Sequence, residues 1–413
     1  MVLFGPLFYF MPAASCILQR KFCKMENKNH FSDPETLACC QLNRVFGFDP
    51  KAGLRIIEAA GSAAAVFSMS YKQKRELMGC EPPAGLDAAG LEQSAKELED
   101  LAAKGCYFLG ITADAFPTLL RDCEDPPMGL YIRSNSAPEE IFCERPYIAI
   151  VGTRDISHYG IDWCKRLTAA LCLSEQMPTI VSGLALGTDI IAHKTALECG
   201  CPTIAVMATG VDAVYPKMHI FEADHIADSP GSALISDYPP GTAPVANNFL
   251  RRNRIIAGLS EATLLIESRV KGGGMVTANL AYYYNRDVYA LPGKADDIRS
   301  GGCNKLIAEH KAELVLTPED MMEKMGLYRR RGKHGLRQKP LNIPQGLFSE
   351  EEEAAIQNIL KIIRASRGIS KADLCVRSRL DISQITGILS FLEAEGYIIT
   401  DLMGNCSSQN NIQ

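Results

Sequence analysis

The chain has 413 residues, enough for one large domain with one or two small ones, and its 47% hydrophobic and 22% charged residues suit a globular protein with a sizeable core. Its net charge of -5 excludes a chain-wide basic field, so any nucleic-acid site must be a local patch. Beyond the N-terminal segment no run reaches the ~18 apolar residues of a membrane span, which argues for a cytoplasmic protein without a membrane partner.

Residues 1–32 read as a disordered tail or an overcalled start with Met25 as the true beginning. Residues 1–14 are apolar, but Arg20 and Lys21 follow the apolar run instead of preceding it as in a signal peptide. Residues 33–104 are expected to form a small helical domain, either of the SAM or helix-hairpin-helix kind or a plain cap on the main domain. Pro34-Glu35-Thr36 opens a helix there, and Leu54, Ile56, Ile57 and Ala60 share one stripe.

The main domain spans 105–325. Short β-branched runs at 147–151, 179–181, 203–206, 233–235, 263–266, 288–291 and 313–316 are mostly separated by helix-length segments. That pattern predicts an α/β fold, an extended Rossmann-like parallel sheet covered on both faces. A basic linker follows at 326–348 (Arg329, Arg330, Arg331, Lys333, Arg337, Lys339), read as a solvated tether that could also touch DNA phosphates.

Residues 349–405 are expected to form a winged helix, with helices over 350–365 and 370–378 and a third capped by Asp381 or Ser383 and closed by Gly396. A strand at 397–400 would enter the wing near Gly404-Asn405, and 406–413 is a tail. The third helix, SQITGILSFLEAEG, lacks Lys and Arg. A DNA-reading helix needs those donors, so this domain reads as a protein-contact or dimer-modulating module.

Fifteen cysteines are scattered through the chain, many inside apolar runs, with no paired CxxC spacing for a zinc ribbon. Cys39-Cys40 and Cys199-x-Cys201 are too close for independent structural pairing. They read as reduced thiols used as small hydrophobes.

Four segments carry the candidate site. In IVGTRDISHYG (150–160) a strand ends at Val151, Gly152 allows a sharp turn, and Thr153, Arg154 and Ser157 precede a helix, an anion-binding geometry with an added guanidinium fork. In IVSGLALGTDIIAHKTAL (180–197) Ser182 and Gly183 end another strand, Thr188 or Asp189 can cap the next helix, and His193 reads as a structural histidine. In NNFLRRNRIIAGLSEATLLIES (247–268) Arg251, Arg252 and Arg254 surround Asn253; Arg251 and Arg254 share a helix face while Ile255, Ile256 and Leu259 turn inward. In VKGGGMVTANLA (270–281) the loop of Gly272, Gly273 and Gly274 opens a helix as a phosphate cradle, with Thr277 in reach of an anion. This loop matches neither a P-loop nor a dinucleotide fingerprint, so no NTP, NAD or other cofactor is expected. His158, His193, His219 and His225 are too dispersed to argue a catalytic or metal site.

These segments, together with GVDAVYPKMH (210–219), LISDYPPGTAP (234–244), ALPG and, upstream, FPTLLRDCEDPPMGLYIR (116–133), closely resemble the DprA/Smf (DNA-processing protein A) family in order along 105–325. The resemblance implies a homodimer that binds single-stranded DNA, protects it and loads the RecA recombinase onto it in natural transformation, without being an enzyme. Carried onto this chain, it implies a DNA site of Gly152, Thr153, Arg154, Ser157, Ser182, Gly183, Lys217, Arg251, Arg252, Asn253, Arg254, Gly273, Gly274 and Thr277. The chain departs from the family at Thr153 (commonly Ser), at Asp237 (often Glu), in GGGMVT (usually with a serine) and at His310-Lys311, where Gly-Ala is usual.

The rival reading is a Rossmann-like nucleotide hydrolase of the lysine-decarboxylase-like type, or a nucleotide sensor of the same fold. The hydrolases use a PGGxGTxxE loop; here Thr277 is followed by Ala278, Asn279 and Leu280, so the expected carboxylate is missing. Glu267, ahead of the glycines, reads as structural.

Overall fold

The computed structural model describes residues 33–327, 341, 348–364, 369–400 and 405–408. The expected tail at 1–32 and the cationic stretch 328–340 lie outside the described residues, as do 409–413. The chain divides into two compact units, taken here in turn.

Among the described residues five helices come first: α1 (Pro34–Phe46), α2 (Pro50–Ala60), α3 (Ala63–Ser68), α4 (Tyr71–Met78) and α5 (Ala88–Ala103). Their starts follow from local chemistry. The Asp33 carboxylate accepts from Thr36 N at 3.0 Å ahead of Pro34, Asp49 caps α2 ahead of Pro50, and Ser70 with Gln73 closes a capping box on α4. The inward face of α1 (Ala38, Cys39, Leu42, Phe46) and Leu98 and Leu101 of α5 share one hydrophobic core with the sheet.

The sheet has nine strands: β1 (Cys106–Gly110), β2 (Gly129–Arg133), β3 (Tyr147–Val151), β4 (Thr179–Ser182), β5 (Thr203–Val206), β6 (Ala233–Ser236), β7 (Ala262–Leu265), β8 (Asp287–Ala290) and β9 (Glu313–Leu314), in the order β1-β2-β6-β5-β4-β3-β7-β8-β9. Strands β3 to β9 are parallel to one another, matching the seven predicted runs. The sheet is nevertheless mixed: β1 and β2 form an antiparallel pair, and β2 joins β6 antiparallel. The alternation of strand and crossover helix announces parallel strands only. An edge pair joined by a long loop carries no such rhythm, so β1 and β2 are absent from the predicted set.

Between and after these strands lie α6 (Thr118–Arg121), α7 (Pro138–Ile141), α8 (His158–Cys172), α9 (Thr188–Glu198), α10 (Ile220–Asp228), α11 (Ala246–Leu259), α12 (Gly273–Tyr283), α13 (Gly301–Ala308) and α14 (Pro318–Lys324). Alternate residues of β3 serve opposite faces: Ile148 and Ile150 pack with Leu167, Leu171 and Ala192 of α8 and α9, whereas Ala149 and Val151 pack with Ile255, Ile256 and Ala278 of α11 and α12. That period-2 alternation with both faces covered is what an apolar parallel strand requires. From β3 the chain steps outward through β4, β5 and β6, then returns by α11 to β7 on the other side of β3, so strand order reverses between β3 and β7.

The departure at His310 has a backbone cause. His310 follows α13 with φ of 55°, in the left-handed region that glycine enters freely and other residues at a cost. β9 still joins β8 in parallel, so the last crossover is retained. His310→Gly is expected to raise stability by about 1 kcal/mol. Urea unfolding of the full chain checks this, and an unchanged or lower midpoint would mean that the imidazole contributes more than the strain removes.

The second unit contains α15 (Glu350–Arg364), β10 (Ile369–Ser370), α16 (Lys371–Ser378), α17 (Ile382–Ala394), β11 (Ile398–Thr400) and β12 (Asn405–Ser408), with an antiparallel sheet in the order β10-β12-β11. Asp381, not Ser383, caps α17 in a capping box with Gln384, and Gly396 follows with φ of 68°. Ile356, Leu360, Leu374, Ile385, Leu389, Leu392 and Tyr397 form its core. Residues 401–404, where the wing tip is expected, are outside the described residues.

Candidate nucleic-acid interface

An open cavity of about 300 Å³ lies at the carboxyl ends of β3 and β7, where strand order reverses. Open α/β sheets bind ligands at this place. Gly152, Thr153 and Arg154 line it from the turn after β3, and Ser268 and Arg269 from the turn after β7. Gly272, Gly273, Gly274 and Thr277 come from the start of α12, and Phe249, Leu250, Arg252, Asn253 and Ile256 from one face of α11. Ala185 and Asp189, beyond β4, complete it. A wider depression of about 460 Å³, bordered by Phe142, Arg145, Tyr147, Leu259 and Glu261, lies at the opposite ends of the strands and gathers only one cation.

The floor is built by close backbone approach. A Cβ on Gly274 would lie 3.2 Å from Gly152 Cα, and one on Gly152 would lie 2.3 Å from Thr188 Oγ1, so the two glycines let the first turn of α12 abut the β3 turn. The β3 turn is itself tied down: Thr188 donates to Thr153 O through its N–H (3.2 Å) and its hydroxyl (3.3 Å). Among the described residues no side chain caps α12 at Gly272. Its first N–H groups and positive dipole end are therefore open to an anion in the cavity.

The outer wall is cationic and aromatic. The exposed Arg154 guanidinium lies 5.3 Å from the Phe249 ring centroid, and Tyr215 meets Phe249 edge-on at 5.5 Å. Cations over ring faces and rings open to solvent are the parts from which single-strand binders are made.

The inner wall holds a buried cation. Arg252 is 3% exposed and donates from Nη1 to Val206 O at 2.6 Å. Room for it comes from Gly183, where a Cβ would sit 1.8 Å from that Nη1. Asp189 faces Arg252 and accepts from Gly183 N at 3.2 Å. Burial lowers the Arg252 guanidinium to about 10, with Asp189 drawing it back up, so it stays charged at neutral pH. Burial also raises the Asp189 carboxyl, against the pull of Arg252 and the Ala185 and Gly183 amides.

The structure thus gathers eight of the expected residues around one cavity: Gly152, Thr153, Arg154, Arg252, Asn253, Gly273, Gly274 and Thr277. Lys217 is exposed on a 3₁₀ turn (Lys217–His219) two residues past Tyr215, beside the aromatic wall and outside the cavity. Ser157, Ser182 and Gly183 serve as scaffold. Ser157 caps α8, donates from its hydroxyl to Glu267 Oε1 at 2.6 Å and from its N–H to Oε2 at 2.9 Å, while buried Ser182 donates to Ile150 O at 2.6 Å. Glu267 is thereby committed to the start of α8.

Arg251 and Arg254 depart from expectation. They do share a side of α11, but that side turns away from the cavity. Arg251 bonds to Gly47 O and lies 4.1 Å over the Phe48 ring. Arg254, 6% exposed, pairs with Asp237 Oδ2 at 2.5 Å and bonds to Asp125 O. Sequence reasoning missed Ala185, Asp189, Phe249, Leu250, Ser268 and Arg269 as lining residues. For Phe249 a signal was present: Phe249, Arg252, Asn253 and Ile256 are spaced i, i+3, i+4, i+7 and must share a face.

No histidine lines the cavity among the described residues. His193 is fully buried, with Nδ1 2.7 Å from Thr203 Oγ1, and burial, with the charge of Arg252, holds it down to about 3. His219 Nδ1 lies 2.9 Å from Leu184 O. Among the described residues no group of His, Cys, Asp or Glu is placed to hold a metal ion, and no helix is long and apolar enough to cross a membrane.

The family model for DNA recombination-mediator protein A matches residues 107–326. The chain is 38% identical to Protein Smf of Synechocystis sp. over 229 residues, 55% of this chain and a little over half (56%) of that one. It is 36% identical to DNA processing protein DprA of Streptococcus pneumoniae over 212 residues, 51% of this chain and 72% of that one. The X-ray structure of DNA processing protein A from Streptococcus pneumoniae superposes with a TM-score of 0.58 at 29% identity, covering 68% of this chain and 95% of that chain.

Proposed function

Because the chain belongs to the DNA recombination-mediator protein A family, we propose that it binds single-stranded DNA across the cavity at the ends of β3 and β7, and does no chemistry on it. The carrying observation is the convergence of the uncapped α12 start, buried Arg252 and the Arg154–Phe249 wall, with Tyr215 edge-on to Phe249, on one open space. The first two suit a phosphate. The wall suits unstacked bases, which a duplex does not offer. Glu267 is engaged with Ser157, Asp189 accepts from the Gly183 and Ala185 amides and faces Arg252, and among the described residues no histidine lines the cavity, an arrangement that favours binding over the acid/base chemistry of a nucleotide hydrolase.

On this reading the protein acts in the cytoplasm as a homodimer that protects incoming single strands and passes them to the RecA recombinase in natural transformation. The second unit serves as a winged helix for protein contact, consistent with an α17 that carries no Lys or Arg.

Fluorescence anisotropy of single-stranded and duplex oligonucleotides across a salt series tests the proposal. Single strands should bind more tightly, affinity should grow with oligonucleotide length, and log K should fall steeply with log salt. Arg154→Ala should lower that slope by about 0.7, one phosphate contact. Equal affinity for a mononucleotide and a long strand, or a flat salt response, would sink it in favour of a nucleotide sensor.

A further inference from the structure

The segment that leaves β8 and enters α13 (292–302) is fastened to both turns that carry cations to the cavity. Its own shape is fixed first. Asn304 brackets Gly293, donating from Nδ2 to Gly293 O at 3.1 Å and accepting from Gly293 N at 3.2 Å, and Arg299 N donates to Asp297 Oδ1 at 2.9 Å. Towards the β7 turn, which brings Arg269, Gly302 N donates to Ser268 O at 2.8 Å. A Cβ on Gly302 would lie 2.7 Å from that oxygen, so glycine permits the contact. Towards the β3 turn, the Tyr159 hydroxyl of α8 donates to Pro292 O at 2.7 Å.

Arg299 adds a second hold on that side. Its Nε donates to Asp155 O at 3.1 Å, and Nε and Nη2 both reach Asp155 Oδ2, at 3.3 and 3.2 Å. One planar fork thus engages the backbone and the carboxylate of the residue that follows Arg154. Asp155 N donates in turn to Thr153 Oγ1 at 3.1 Å, which links the contact to the cavity lining. The Asp155 side chain is 65% exposed and that of Arg299 36%. A pair so exposed contributes little to the stability of the fold. Its carboxylate, however, stands next to a cation of the anion site, where its charge opposes a phosphate.

We propose that Arg299 is a positioning residue of the single-strand site: it neutralises and holds the Asp155 carboxylate, which leaves Arg154 free for a phosphate. The inference rests on the binding reading given above. Arg299 is outside the cavity lining, so it acts through Asp155 and the β3 turn. Without it the carboxylate is an unpaired negative charge one residue from Arg154. It then repels the phosphates of the strand and competes with them for the same guanidinium.

The test is anisotropy with a single-stranded oligonucleotide at low and high salt, on the full chain and on Arg299→Ala, Arg299→Lys, Asp155→Asn and the double variant Arg299→Ala with Asp155→Asn. Arg299→Ala should bind about fivefold more weakly at low salt, with the loss shrinking at high salt where an exposed charge is screened. Its melting temperature should stay within about 2 °C of wild type. Arg299→Lys, which keeps the charge, should bind within about twofold of wild type, and Asp155→Asn at least as tightly as wild type. The double variant should return to within about twofold of wild type, because no carboxylate remains to be held. A double variant as weak as Arg299→Ala would make Arg299 a phosphate contact or a mechanical strut, and unchanged affinity in Arg299→Ala would remove it from the site. Either result overturns the inference and leaves the single-strand reading standing. A wild-type chain with no preference for single strands would sink that reading and the inference with it.

Discussion

Arg254→Ala is expected to remove about 3–5 kcal/mol of stability while leaving single-strand affinity within about twofold in the protein that remains folded. The guanidinium is the centre of a clamp. It pairs with Asp237 beyond β6 and bonds to Asp125 O; Asn43 of α1 donates to Asp237 O at 2.7 Å, and Tyr284 at the end of α12 donates to Asp125 Oδ1 at 2.5 Å. Arg254 and Asp237 are both nearly out of solvent, so truncating one leaves the other charge buried without its partner. Urea unfolding should show the fall in midpoint. Arg254→Met with Asp237→Leu, which removes both charges, should recover much of the loss. A normal midpoint with abolished DNA binding would return Arg254 to the DNA site.

Phe249→Ala should have the largest effect on binding with the fold intact. A ring on which a base stacks contributes about 1–3 kcal/mol, so affinity for single strands should drop roughly 5- to 150-fold. Removing Phe249 removes no charge, so the salt slope should stay close to wild type, whereas Arg154→Ala should flatten it. Phe249→Tyr should bind nearly normally. If Phe249→Ala instead flattened the slope as much as Arg154→Ala, the ring would serve to position Arg154, whose guanidinium it supports at 5.3 Å. Unchanged affinity would take stacking on this wall out of the proposal.

The parallel half of the sheet was legible because its strands are continuous apolar runs and its crossovers are helix-length. β1 and β2 were not, since an antiparallel edge pair carries no crossover rhythm. At the site, the glycine turns were legible by composition: only glycine permits the contact of Gly152 with Gly274 and admits Arg252 beside Gly183. The arginine cluster was legible as a cluster but not by role. Of three arginines on one helix only Arg252 enters the cavity, while Arg251 and Arg254, on the other side, reach Gly47 and Asp237. Gly47 lies 204 residues from Arg251, and Asp125, whose carbonyl Arg254 also reaches, lies 129 residues from it, separations that no local pattern can encode. Lining by Ser268 and Arg269 depends on the curvature of the turn after β7 and has no signature in residue type.

The reversal of strand order also sets when the molecule can first hold a ligand. The β3 turn with Arg154 leaves the ribosome more than a hundred residues before the first turn of α12, and the seat for an anion exists only when Gly274 lies against Gly152. A nascent chain, or a fragment ending before residue 273, carries the arginine without the seat. On the proposed reading, capture of a strand at this seat requires a polypeptide whose synthesis has passed both halves of the sheet.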